Sequence, residues 1–119
     1  MTVADSARTI LVADDSPVVH LALGKILRAD GFQVLEARSL RDARGVDAAR
    51  LFAAVLDLDL GDGTGIEAAR WLTASRPELP FVFFTSDDDG VLLVEARRMA
   101  PVFFKPRDCD RVAAWVRGL

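Results

Sequence analysis

The sequence predicts a doubly wound α/β domain: five parallel strands in one sheet, in a (βα)5 order, with helices on both faces. Three observations carry that prediction. Short runs rich in β-branched and aromatic residues alternate along the chain with stretches of helical spacing. Those runs are almost continuously apolar, as expected of strands covered on both faces in a three-layer α/β/α arrangement. Finally, 119 residues give room for a single domain, 1–119, with a core of its own and no need of disulfides or structural metal.

Taken in order, strands are expected at TILVA (9–13), FQVLEA (32–37), FAAVLD (52–57), FVFFT (81–85) and PVFF (101–104). The first helix should start at Pro17, whose fixed φ suits the first helical position, with Ser16 as cap, and stop near Asp30-Gly31. Its apolar face is Val19, Ala22, Leu23, Ile26 and Leu27. Ser39 caps the second helix. Thr64 and Glu67 form a capping box for the third, which turns Ile66, Ala69 and Leu72 inward. The fourth follows Ser86 and the fifth follows Asp108, with Val112, Trp115 and Val116 packing.

Composition excludes several classes. A hydrophobic content of 51% with 28% charged residues fits a compact globule, and no apolar run approaches a membrane span. No export signal is visible at the N-terminus, so a cytoplasmic location is expected. The net charge of −3 argues against a nucleic-acid surface on this chain. The lone Cys109 has no second thiol for a disulfide or a zinc site.

In such a sheet, ligands bind beyond the carboxyl ends of the strands, where the strand order reverses. The residues that follow the apolar runs are therefore the ones to collect: Asp14 and Asp15 after the first strand, Asp57 after the third, Thr85 closing the fourth, Lys105 after the fifth. Three acids at close range repel one another unless a cation sits among them, and an all-oxygen site suits Mg²⁺ (or Mn²⁺) better than a thiol-seeking metal. Lysine and threonine beyond the acids could hold the oxygens of a phosphoryl group.

The set VADDSP, AVLDLDLGDGTG, FFTS and FFKP, in this order and on these strand ends, resembles the receiver domain of bacterial two-component response regulators over essentially the whole chain. The resemblance implies the flavodoxin-like receiver fold and a signalling switch that phosphorylates and dephosphorylates itself, not an enzyme turning over a substrate. It implies that Asp57 accepts the phosphoryl group from a sensor histidine kinase or phosphotransfer protein. Asp15 and Asp57 would bind Mg²⁺ directly, Asp14 mainly through water, and the backbone carbonyl of Asp59 would complete the set. Lys105 would pair with phosphoryl oxygens and Thr85 would move toward them. An output domain or target protein would read the change, with a homodimer through the fourth helix, fifth strand and fifth helix as a further implied partner. The chain reads either as a stand-alone receiver or as the receiver part of a longer regulator or hybrid kinase.

Some positions depart from the family pattern. Val102 stands where many receivers carry an aromatic residue, the Thr85–Lys105 segment is short, and the turn before the last strand is reduced to MAPV. Gly61 and Arg107 replace a frequent proline and a frequent apolar residue. Asp59 sits where side chains tune the lifetime of the phosphorylated state. Other features read as structure: SDDDG (86–90) as acids in a first helical turn, His20 as a surface or packing residue, GDGTG as a turn, and Phe81, Phe83, Phe84, Phe103 and Phe104 as core. Two other functions fit parts of the pattern. One is an aspartyl-phosphate phosphohydrolase of the haloacid-dehalogenase type, suggested by LDLDL; its acidic pair, however, would follow the nucleophile. The other is a receiver-shaped binding module that signals without phosphorylation.

Overall fold

The computed structural model describes residues 8–86 and 90–119. Ten elements alternate: β1 (Thr9–Ala13), α1 (Pro17–Ala29), β2 (Gln33–Ala37), α2 (Leu40–Arg44), β3 (Ala53–Leu56), α3 (Gly65–Ser75), β4 (Phe81–Thr85), α4 (Gly90–Met99), β5 (Val102–Phe104) and α5 (Cys109–Arg117). A short 3-10 turn at Ala48–Arg50, absent from the sequence reading, precedes β3. All pairings are parallel and the strand order is β2-β1-β3-β4-β5, so the order reverses between β1 and β3. The doubly wound prediction holds. Among the described residues no helix is long and apolar enough to cross a membrane.

Alternating strand residues sort the core into two layers. Ile10, Val12, Val55, Val82 and Phe84 pack with Leu23, Leu27, Val112 and Val116 of α1 and α5. Leu11, Ala13, Leu56 and Phe83 turn to the other face, against Leu40, Ile66, Leu72 and Ala96 of α2, α3 and α4. Each sheet face thus finds its own helices, as the continuous apolar runs require.

The helix starts follow their predicted chemistry. Pro17 opens α1, with the Val19 amide on Ser16 Oγ, and the Asp42 amide donates to Ser39 Oγ at the head of α2. Thr64 and Glu67 make the reciprocal box, at 3.2 and 2.8 Å. Two details differ. Ala22 is exposed, because the face of α1 that reaches the sheet is narrower than its apolar stripe and centres on Leu23 and Leu27. Asp108 precedes α5 but makes no cap bond; its side chain turns back to accept the Phe104 amide at 2.9 Å and pairs with Arg107 and Arg111. Those contacts hold its carboxyl below the usual range, the Phe104 amide contributing most. Of the aromatic residues, Phe83 and Phe84 are buried, whereas Phe81, Phe103 and Phe104 are half-buried. Asp87, Asp88 and Asp89 of the SDDDG segment lie outside the described residues.

GDGTG is a turn, as expected, with Gly61 at φ +84° and Leu60 N donating to Gly63 O at 2.9 Å. Inside it, Asp62 reaches across to accept the Leu40 and Arg41 amides at 2.7 and 3.0 Å, binding the β3–α3 loop to the start of α2. Those amides, Leu40 first, hold its carboxyl below the usual range.

Candidate functional site

At the carboxyl ends of β1, β3, β4 and β5 lies an open depression of about 520 Å³, lined by Asp15, Ser16, Asp57, Asp59, Thr85 and Lys105 among others. It sits at the β1/β3 reversal, where an open α/β sheet places its ligands. A larger groove of about 760 Å³ runs beside β2 and α2, but among the described residues its acids, Glu36, Asp42 and Asp47, do not converge as Asp14, Asp15 and Asp57 do. Chemistry, not size, marks the site.

The strands deliver the acids and hold them. Asp57 N donates to Ala13 O at 2.9 Å, which extends the β1–β3 ladder to the last residue before the loop. Asp14 is 2% exposed and Asp57 7%, while Asp15 lies at the surface. One carboxylate oxygen from each of Asp14, Asp15 and Asp57 falls within 4.8 Å of the others. Gly65 enables the approach of α3: a Cβ there would lie 2.1 Å from the Asp57 carbonyl oxygen, so no other residue fits without displacing the loop.

Lys105 is brought in by the short β5, its amide donating to Thr85 O at 3.0 Å. Its Nζ lies 2.6 Å from Asp14 Oδ2 and 2.9 Å from Asp57 Oδ2, with the side chain 13% exposed. Burial alone would pull the ammonium down, but the hydrogen bonds to Asp14 and Asp57 outweigh it and its pKa stands above its ordinary value. For Asp14 the balance tips the other way. Burial raises its carboxyl above the usual range despite the Lys105 bond and the Ser16 amide on Oδ1 at 2.8 Å. The one ammonium thus pairs with two of the three carboxylates, and the cluster retains a deficit of positive charge.

Thr85 is buried and lines the depression. Asp59 lies at the rim with its carboxylate tied to the Gly61 amide at 2.9 Å, and its own amide lies 3.4 Å from Asp57 Oδ1. The expected residues are thus all brought to one place. Ser16 joins them as both helix cap and donor to Asp14. His20, which the sequence marks only as a surface or packing residue, is buried and bonds the Asp14 carbonyl. Its place one turn into α1, beneath the acidic pair, was the available signal.

Residues 10–117 match the response regulator receiver domain family. The chain belongs to that family. Among curated relatives, the photosynthetic apparatus regulatory protein RegA of Rhodovulum sulfidophilum is 29% identical over 94% of this receiver and 62% of its own length. This chain spans between 17% and 62% of the curated relatives it matches. The fold is that of solved receivers. A CheY-like receiver domain protein from Methanospirillum hungatei superimposes with a TM-score of 0.85 at 19% identity, covering 95% of this chain and 93% of that one. A response regulator from Burkholderia pseudomallei, solved with a phosphorylated aspartic acid, a calcium ion and citrate, gives 0.78 at 22% identity over 93% and 71% of the two chains.

Proposed function

We propose that this receiver accepts a phosphoryl group on Asp57 from a sensor histidine kinase or phosphotransfer protein, and that the new charge switches its binding of an output domain or target. The observation that carries this reading is the Lys105 ammonium held 2.9 Å from Asp57 Oδ2 on the wall of an open, polar depression. A nucleophilic carboxylate and a fixed cation beside it are what transfer through a loose transition state needs, since the site mostly positions the group and neutralises its charge.

An Asp57 oxygen forms the new P–O bond as the P–N bond of the donor phosphohistidine breaks and the imidazole leaves. Lys105 then exchanges a carboxylate partner for a phosphoryl oxygen, and the Thr85 hydroxyl supplies a second donor from the neighbouring strand. Hydrolysis of the acyl phosphate by water at the same open depression returns Asp57 to its starting form. Asp59, tied to Gly61, presents a carboxylate at the rim along which that water arrives.

The donor set fits a divalent cation. Its oxygens are hard, anionic and within 4.8 Å of one another, and no thiol or imidazole is among them. Asp15 and Asp57 would hold Mg²⁺ or Mn²⁺ directly, Asp14 through water, with the Asp59 carbonyl as a further ligand. When bound, the ion supplies charge neutralisation at the transferring oxygens. The Burkholderia regulator, with its phosphorylated aspartic acid and calcium ion, supports the same pairing here. A homodimer through α4, β5 and α5 belongs to this reading too; Val91 and Val94 of α4 are 79% and 54% exposed.

The test is intact mass after incubation with a small acyl phosphate, with Mg²⁺ or with chelator. One phosphoryl adduct is expected that needs Mg²⁺, decays with time and is absent in Asp57→Asn. A folded protein that gives no adduct at saturating Mg²⁺ would make it a binding module that works without phosphorylation.

A further inference from the structure

His20 is 2% exposed on the inner face of α1, and its Nε2 lies 2.6 Å from the backbone oxygen of Asp14. A carbonyl can only accept, so Nε2 carries the proton. Nδ1 is then left buried with no hydrogen-bond partner, its nearest charge being Glu36 Oε1 at 3.9 Å. A leucine or methionine would fill this part of the apolar face without an orphaned polar atom. What the imidazole adds is therefore the bond at Nε2.

That bond acts where nothing else does. The Asp14 amide is held by Ala37 O, Oδ1 by the Ser16 amide and Oδ2 by Lys105. Among the described residues His20 alone holds the carbonyl, and with it the plane of the Asp14–Asp15 peptide. Asp15 is exposed, and no described residue hydrogen-bonds or ion-pairs with its carboxylate. Its direction toward Asp14 and Asp57 is accordingly set by the backbone that carries it. We infer that His20 is a positioning residue for the acidic cluster: through the Asp14 carbonyl it fixes the peptide that aims Asp15 at the cation site. This inference rests on the proposed reading of that site, and outer-shell partners of this kind tune metal affinity in proportion to how firmly they orient the ligands.

The test compares the full chain with His20→Gln, whose amide can donate from the position of Nε2, and with His20→Met, which fills the space but donates nothing. Mg²⁺ affinity is read by calorimetry without phosphate, beside thermal unfolding and adduct formation on the same samples. His20→Met is expected to lose about tenfold in Mg²⁺ affinity, and His20→Gln to stay close to the parent. Equal Mg²⁺ binding by His20→Met and the parent would overturn the inference, as would a loss in His20→Gln as large as in His20→Met, which would make the residue one of packing. If His20→Met does not fold, His20→Asn, which places its amide at Nδ1 and leaves the Asp14 carbonyl unmet, is expected to show the same loss, and parent-like affinity would refute the role. A parent protein that binds no Mg²⁺ would instead bring down the reading of the site and this inference with it.

Discussion

The two halves of the sheet are built differently. β1 and β3 lie in its interior, paired on both sides, and every residue from Ile10 to Ala13 and from Ala53 to Leu56 is at most 1% exposed. β5 is a three-residue edge strand with all its residues half-buried, and the adjoining α4 buries one described residue, Ala96, where α3 buries five. Asp14 and Asp57 grow from the first half, Lys105 from the second. The acids are anchored in the most protected part of the fold, and their cation hangs from a less protected edge. Local stability falls where buried apolar contacts are few, so on the proposed reading a change of charge at the cluster would be transmitted toward α4 and β5 more readily than toward β1 and β3.

The first way to break this contrast is in the core. Leu56→Ala, at a fully buried position of β3, should cost about 2–5 kcal/mol in denaturant unfolding. Val102→Ala, on half-buried β5, should cost about 1 kcal/mol. Equal losses would erase the distinction between the halves. Next comes Gly65→Ala. Its Cβ would meet the Asp57 carbonyl oxygen at 2.1 Å, and overpacking of this kind costs about 1–3 kcal/mol. The shift also falls on the peptide of Asp57, so on the proposed reading adduct formation should slow alongside the loss of stability.

A smaller effect, of opposite sign, is expected at Asp14. Burial raises its carboxyl above the ordinary 3.8, so the folded state holds this proton more tightly than the unfolded one. The stability that follows is present below 3.8 and is lost as pH rises through the raised value, leaving a net cost at neutral pH. Asp14→Asn should therefore raise the melting temperature at pH 7, as read by thermal unfolding, while weakening Mg²⁺ binding. The smallest effect is alkaline. Lys105 stands above its ordinary 10.5, so its contribution is complete below that value and fades as pH climbs through the raised one. The parent should lose stability in that window faster than Lys105→Gln, as followed by circular dichroism.

Much of this was legible in the sequence because strand ends announce themselves. An apolar run that stops at Asp14-Asp15, at Asp57 or at Lys105 places those side chains on one edge once the sheet is known to be parallel, and caps such as Ser16, Ser39 and Thr64 mark helix starts by their local chemistry. What escaped depends on contacts between distant segments. Asp108 looks like a cap, yet the turn through Lys105 and Pro106 brings the Phe104 amide to it first. Ala22 belongs to the apolar stripe of α1, but the face that meets the sheet centres on Leu23 and Leu27 and leaves it outside. That Asp62 would clasp the head of α2, or that His20 would reach the Asp14 carbonyl, follows from how α1, α2 and the loops pack, which periodicity does not record.

The ammonium of Lys105 also answers part of the cluster's charge from within the chain. A tethered cation already bridges Asp14 and Asp57, so two of the three acids have a built-in counter-charge. A divalent ion would, on the proposed reading, have to compete with a side chain that cannot diffuse away, and its apparent affinity would carry the cost of loosening that bridge. On the proposed reading, occupancy would then follow the free magnesium of the surroundings, and readiness to be phosphorylated would be a running measure of that concentration.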